Sequence, residues 1–422
     1  MSLRLSAGTI GEGRYLGDVN EQTRPRRALL VENIHPGAAA ILRAGGFEVE
    51  SLDRALDEAE LADRIPDIDV LGIRSGTQLT EPVLEKSRRL MAVGAFCIGT
   101  NQIDLPAATA RGVAIFNAPF SNTRSVVELA VAEIIALTRG LTGKNTAMHA
   151  GQWDKSAAGS HEIRGRSLGI VGYGNIGTQL SVLAENLGMS VRFFDTADRL
   201  ALGNAKRCDS LADLLEDSDI VTLHVDGRSD NRLMFGEAEL ARMRPGSLFL
   251  NLSRGFVVDH AALRRHIESG HLAGAAIDVF HREPASKAQP FVSELRGLHN
   301  VILTPHIGGS TEEAQADIGR FVANKLLDYS QGGNTGLSVN FPNLELAQRA
   351  GGHVLIHLHR NLPGVLAAIN GIFAEHRINI EGQVLATRGD VGYVITDIAS
   401  DYTEDMLARL RHMDETIRLR LL

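Results

Sequence analysis

Short apolar runs alternate with stretches whose apolar positions fall three or four residues apart. "RALLVEN" (27–33), "FEVESLD" (47–53), "VLGIRS" (70–75) and "RLMAVGAF" (89–96) read as strands, and "PGAAAILRAGG" (36–46) and "TEPVLEKSRR" (80–89) as helices. That alternation predicts a parallel α/β domain over residues 27–118. A long helical pattern from Ser125 to Leu141 then leads into a second alternating series: "SLGIV", "SVRFFD", "DIVTLHV", "GSLFLNLSRG", "LAGAAIDVF" and "NVILTPHIGG". It predicts a second parallel-sheet domain over 119–304, with a helix through Phe321 to Tyr329 returning the chain, over 305–331, to the first.

The pattern changes again near the end. Residues 332–350 are rich in Gly and Asn and weakly periodic, which predicts a linker, with the pair Gly351-Gly352 as a hinge. Residues 351–422 then read strand, helix, strand, strand, helix, strand, a βαββαβ ferredoxin-like order. So small a unit is marginal alone and is expected to pair with a second copy. Residues 1–26 lack such patterning and are expected to form an N-terminal extension.

Within the second series, "SLGIVGYGNIG" breaks from a strand into GxGxxG and runs on into the amphipathic "TQLSVLAENLG". In a strand–turn–helix of this kind Gly172 allows the tight turn, Gly174 the approach of a pyrophosphate, and Gly177 close packing of helix on strand. Asp195 ends the next strand at the distance where such a unit places an acid on the adenosine ribose. The spacing therefore predicts a dinucleotide site.

Composition narrows the function. The 422 residues carry a net charge of -8, 44% hydrophobic and 22% charged residues, which gives no reason to expect nucleic-acid or membrane binding. No apolar stretch reaches the length of a membrane span, and residues 1–27 lack the apolar centre of a signal peptide, so none is expected. Cys97 and Cys208 are too few for a disulfide framework, which fits a reducing, cytoplasmic location. His353, His357 and His359 share one strand face, but no carboxylate or cysteine completes a set, so no metal is expected.

Three polar residues follow predicted strand ends: Arg254 in "NLSRG", Glu283 in "DVFHREP" and His306 in "TPHIGG". With "GIRSGTQLTE", "FCIGTNQIDL", "FNAPFSNTRSVVELAVAE" and "GQWDKSAAGSHEIRGRS", these motifs make the chain similar, from residue 27 to 422, to the D-isomer-specific 2-hydroxyacid dehydrogenases. The resemblance implies two Rossmann-like parallel-sheet domains plus a C-terminal ACT regulatory domain. It implies His306 as the base for the substrate hydroxyl, Glu283 as its charge partner and Arg254 on the substrate carboxylate, which is chemistry those residue types perform well. It carries Asn175, Ile176, Leu252, Ser253, Asp278, Gly308 and Gly309 onto NAD-binding positions, alongside the three loop glycines, Asp195, Arg254 and His306.

Within that family the motifs imply 3-phosphoglycerate as substrate. Arg74 and Ser75 match the substrate loop, and Lys155 resembles a residue supplied by a neighbouring subunit. Gly76 stands where many bacterial relatives carry a second arginine, which leaves the phosphate short of a donor. His359, Asn361 and Asn379 match an L-serine effector site, and a homotetramer is the expected assembly. Two other functions compete: a reductase of another 2-oxo acid such as 2-oxoglutarate or hydroxypyruvate, and an NAD-sensing corepressor without enzymatic activity. Retention of Arg254, Glu283 and His306 argues against the sensor.

Overall fold

Strands buried at every position need cover on both faces, and Val70–Ile73, Ala92–Ala95, Ile220–Leu223 and Ser247–Asn251, in the interior of the first two sheets, are of this kind. The computed structural model describes residues 24–284, 289–346, 352–399 and 401–422; the expected N-terminal extension thus lies, up to residue 23, outside the described residues. The first sheet contains β1 (Arg26–Leu30), β2 (Phe47–Ser51), β3 (Val70–Ile73), β4 (Ala92–Ala95) and β5 (Ala114–Asn117). All are parallel, in the order β2-β1-β3-β4-β5. The order reverses between β1 and β3, and the loops leaving those two strands open the crevice where such sheets bind ligands.

The second sheet contains β6 (Ser167–Val171), β7 (Ser190–Phe194), β8 (Lys206–Arg207), β9 (Ile220–Leu223), β10 (Ser247–Asn251), β11 (Leu272–Ile277) and β12 (Val301–Leu303). It is parallel in the order β12-β11-β10-β9-β6-β7-β8, so its switch point lies beside β6, whose loop is GxGxxG. The helix expected over 125–141 runs from Thr123 to Arg139 and stops at Gly140, which takes a left-handed φ of 59°. Leu187, the last leucine of the amphipathic "TQLSVLAENLG", is the 41%-exposed C-cap residue of the helix Asn175–Asn186, and Ser181 is buried on the inner face of that helix.

The third sheet follows the expected βαββαβ order: β13 (His353–Arg360), helix Val365–Glu375, β14 (Ile380–Arg388), β15 (Val391–Ile398), helix Glu404–His412 and β16 (Thr416–Leu421). It is antiparallel in the order β14-β15-β13-β16. Leu355, Ile398 and Leu419 pack under the two helices with Ile369, Phe373 and Leu407. Val354, Ile356, Leu358, Tyr393 and Ile395, on the opposite face, join one core with Phe96, Phe116, Val322, Tyr329 and Phe341 of the first domain.

Three domain expectations change accordingly. The described residues form two compact units, those up to Pro119 together with those from Ile318 onward, and those between Phe120 and Asp317. The return to the first domain therefore comes at Ile318, within the helix Glu312–Gly332, and the segment carrying His306 belongs with the nucleotide-loop sheet. The C-terminal sheet does not stand apart, because its second apolar face is covered by the first domain. Arg418 donates to the carbonyls of Leu90 (2.6 Å) and Gly112 (3.2 Å), Tyr393 donates to Gly333 O (2.7 Å), and Arg420 donates to Ser330 O (2.8 Å).

The expected linker is also packed over its described residues, 332–346. Asn340 accepts from Ile115 N–H (2.9 Å) and donates to Val113 O (2.9 Å), Thr335 donates to Pro342 O (2.6 Å), and Phe341 is fully buried. Side chains satisfy its backbone and that of β5, so it holds without the periodicity of a helix or strand. Gly351 lies outside the described residues.

Phe341 is shared by the first domain and the C-terminal sheet. Phe341→Ala is expected to cost about 3–5 kcal/mol, seen as a lower urea midpoint for unfolding. An unchanged midpoint would show that the two are not joined through this core.

Candidate active site

The glycine loop leaves β6 as its spacing predicts. Gly172 takes a φ of 91°, a Cβ at Gly177 would stand 2.3 Å from Gly172 O, and a Cβ at Gly174 would meet nothing within 4 Å. The three glycines thus serve a turn, a close packing contact and an open space where a ligand can approach the backbone. Asn175 and Ile176 open the helix Asn175–Asn186, whose N-terminus has no side-chain cap. Its first N–H groups are available to a pyrophosphate. The Asp195 carboxylate accepts from Tyr173 N–H (2.8 Å) and Ala197 N–H (2.8 Å). Asp195 therefore fixes the glycine loop, and a carboxylate with two oxygens retains lone pairs for ribose hydroxyls.

Arg254, Asp278, Glu283 and His306 follow β10, β11 and β12, three adjacent strands, which is why residues far apart in sequence meet at one end of the sheet. His306 Nδ1 lies 2.7 Å from Glu283 Oε2, and Glu283 Oε1 accepts from Phe280 N–H (3.1 Å). With the carboxylate on Nδ1, the imidazole has Nε2 left for a substrate proton. The hydrogen bond to Glu283 holds the His306 pKa above its ordinary value, against the effect of burial, and the charges of Glu283 and Asp278 add to it. Burial opposes ionisation of Glu283, but His306, Phe280 N–H and Arg254 outweigh it, so this carboxyl titrates below its usual range. A cavity of about 640 Å³, lined by Phe280, Phe291, Leu303 and Pro305 among others, borders the pair.

His306 sits at a φ of 54°, a conformation that L residues adopt only when their surroundings impose it. Asp278 imposes it here. Its carboxylate, 1% exposed, accepts from Thr304 Oγ1 (2.7 Å), Ile307 N–H (2.8 Å) and Gly308 N–H (2.9 Å), and its carbonyl accepts from His306 N–H (2.9 Å). Gly309 O accepts from Gln315 Nε2 at 3.2 Å. In this structure Asp278 thus anchors the turn that carries the histidine.

Arg254 is half-buried and donates to Ser253 O at 2.7 Å. The loop is organised by a residue the motif reading passed over. Asn251, fully buried, accepts from Ser253 N–H and Oγ–H and donates to Arg254 O (3.0 Å). Leu252 and Ser253 are themselves buried.

In the first unit a second such residue appears. Glu32, in the loop after β1, accepts from the N–H groups of Arg74 (3.0 Å), Gly76 (2.8 Å) and Thr77 (2.9 Å) in the loop after β3. The substrate-loop candidates Arg74 and Ser75 therefore stand at the β1/β3 switch point on a braced backbone. Glu32 and Asn33 have φ values of 65° and 53°, a local signal that only the fold reveals. Lys155 is exposed, its ammonium 5.9 Å from the ring centroid of Trp153.

The effector candidates divide. His359 is buried with Nε2 unpartnered, and the exposed Asn361 donates to Gly389 O at 3.1 Å. Asn379 precedes Ile380, which pairs with Ile398 opposite His353, whereas His359 pairs with Gly392. Asn379 therefore lies about 20 Å from His359 along the sheet, and one copy of the chain does not bring the three residues together. Among the described residues no cluster suited to a metal ion occurs and no helix is long and apolar enough to cross a membrane.

Comparison with known proteins agrees with this layout. Residues 131–308 match the model of the D-isomer specific 2-hydroxyacid dehydrogenase NAD binding domain, and residues 355–418 that of an AHAS small subunit-like ACT domain. The chain is 51% identical over 397 residues to the D-3-phosphoglycerate dehydrogenase of Escherichia coli K12, covering 93% of this chain and 97% of that protein. It is 46% identical to the enzyme of the same name from Dictyostelium discoideum, covering 94% and 97%. Among solved structures, D-2-hydroxyisocaproate dehydrogenase superposes with a TM-score of 0.67 at 25% identity, covering 74% of this chain and 99% of that one.

Two outcomes are expected. In an NMR titration the His306 imidazole should change charge above the ordinary histidine range, and Glu283→Gln should bring that transition down; an unmoved transition would exclude Glu283 as its cause. Gly174→Ala should leave the melting temperature close to that of the parent and weaken dinucleotide binding, whereas Gly177→Ala should lower the melting temperature, because its Cβ meets backbone.

Proposed function

The chain belongs to the D-isomer-specific 2-hydroxyacid dehydrogenase family, and on that premise we propose that it oxidises D-3-phosphoglycerate to 3-phosphohydroxypyruvate with NAD as hydride acceptor. The observation that carries this reading is the His306–Glu283 pair beside Arg254. His306 takes the proton from the hydroxyl oxygen while hydride leaves the carbon that bears it, and the Glu283 carboxylate offsets the imidazolium that forms. Arg254 pairs with the substrate carboxylate and polarises the developing carbonyl. NAD, when bound, accepts the hydride; the open space at Gly174, the uncapped helix behind it and Asp195 are suited to hold it.

Arg74, on the loop braced by Glu32, supplies a cation for the substrate phosphate, with Ser75 beside it and Lys155 contributed by a second subunit. The L-serine reading of the C-terminal domain draws support from the separation of Asn379 from His359 and Asn361. A single ligand touches all three only where two antiparallel copies of the sheet meet, so effector binding and oligomerisation go together. We further propose a homotetramer and, from a sequence with two cysteines, too few for a disulfide framework, a cytoplasmic location. The product is a precursor for serine synthesis.

The test is a panel of 2-hydroxy and 2-oxo acids, with and without phosphate, followed at the nicotinamide absorbance. 3-Phosphoglycerate and 3-phosphohydroxypyruvate should give the highest kcat/KM; a preference for 2-oxoglutarate or hydroxypyruvate would replace this reading. His306→Ala should lower kcat by about 10²–10⁴-fold, with NAD binding little changed. Neutral His306 is required for oxidation, so its kcat/KM should rise with pH through the raised His306 pKa, and Glu283→Gln should move that rise to lower pH.

A further inference from the structure

A second buried carboxyl lies behind the active-site turn. Glu133, on the helix Thr123–Arg139, is 3% exposed, and neither of its oxygens has a hydrogen-bond partner in the structure. The groups acting on it from the elements packed around its helix are the Asp278 carboxylate after β11 and the Thr304 hydroxyl after β12. The Asp278 carboxylate is well supplied with donors, whereas the Glu133 oxygens have none. The Thr304 hydroxyl has a single hydrogen, and it is given to Asp278 Oδ1 at 2.7 Å. Toward Glu133 it can only accept.

We propose that Glu133 is a positioning residue, protonated at neutral pH, whose O–H donates to the Thr304 hydroxyl and completes a buried chain Glu133–Thr304–Asp278 that holds the turn carrying His306. Each member polarises the next, which strengthens the acceptor that fixes Ile307 N–H and Gly308 N–H. Burial first, and then the Asp278 charge, push the Glu133 carboxyl up to about 8, outweighing the contact with Thr304, which acts the other way. Above that pH a second charge forms beside Asp278, and the one hydroxyl hydrogen of Thr304 is already given to Asp278. The chain then loses its first member, and the strained His306 backbone loses part of its support.

The activity half of the test rests on His306 being the base for the oxidation proposed above; the stability half does not. In the parent enzyme the alkaline side of the kcat/KM profile should fall near pH 8, and in Glu133→Gln, whose amide also donates, that fall should disappear or move up by a pH unit or more. Glu133→Ala should lower kcat about tenfold or more without a matching rise in KM for NAD, and Glu133→Gln should recover it.

Melting temperature supplies the readout without substrate. A carboxyl whose folded pKa is raised stabilises most below its unfolded value and loses that contribution as pH rises through the folded one. The parent should therefore lose ground to Glu133→Gln between about pH 5 and pH 8, and the gap should level off above. Parallel melting curves together with identical alkaline limbs would overturn the proposal. If Glu133→Ala fails to fold, the Glu133→Gln comparison decides it.

Discussion

A carboxylate removed from water must find donors for its lone pairs, and the donors it finds become fixed in turn. Asp278 satisfies that constraint with the Thr304 hydroxyl and the N–H groups of Ile307 and Gly308. The turn between β12 and the helix Glu312–Gly332 is thereby wrapped around one side chain. His306 is placed by this turn, in a left-handed conformation it would not adopt free. The Glu283–His306 contact, and with it the raised pKa of the imidazole, depends on that placement. A more flexible loop would let the ring turn away from Glu283, and both pKa shifts would relax.

The same device recurs at two other loops. Asp195 holds the glycine turn by its Tyr173 N–H, and Glu32 holds the Arg74 loop through three N–H groups. In each case a carboxylate from one loop braces the backbone of the loop beside it, across the reversal of the sheet order for Glu32 and one strand to its side for Asp195. These crevices lack regular backbone pairing by construction, so side-chain acceptors must supply it. A negative group behind such a loop also orients its N–H dipoles inward.

Docking of the C-terminal sheet changes how regulation can reach the first domain. A domain joined only by a glycine hinge would transmit an effector's binding weakly. Here Val354, Ile356, Leu358, Tyr393 and Ile395 share one core with β4, β5 and the helix Glu312–Gly332, and a packed core moves as a body. Any rearrangement of the sheet is therefore felt first by that helix and by β5. An effector acts through such a contact only if it favours one arrangement over another.

Period and spacing sufficed for much of the fold. The apolar runs became strands, the βαββαβ order of residues 353–422 was legible from alternation alone, and GxGxxG followed by Asp195 located the nucleotide loop, because each is a local demand of backbone geometry. Arg254, Glu283 and His306 were legible as polar residues after strand ends. Their partnership was not, since it depends on β10, β11 and β12 lying side by side. Glu32, Asn251 and Glu133 gave no signal in sequence: an acid or an amide in a loop or helix is ordinary until the fold buries it against backbone donors or another carboxyl. The segment from Gly333 to Leu346 read as a linker because its order comes from long-range hydrogen bonds, which leave no periodic trace. The sequence by itself thus determined the elements, the dinucleotide turn and the chemical types at the strand ends. Only the tertiary structure decided which side chains meet, which carboxyls ionise and what covers the second face of the C-terminal sheet, because those outcomes are set by contacts between residues far apart along the chain.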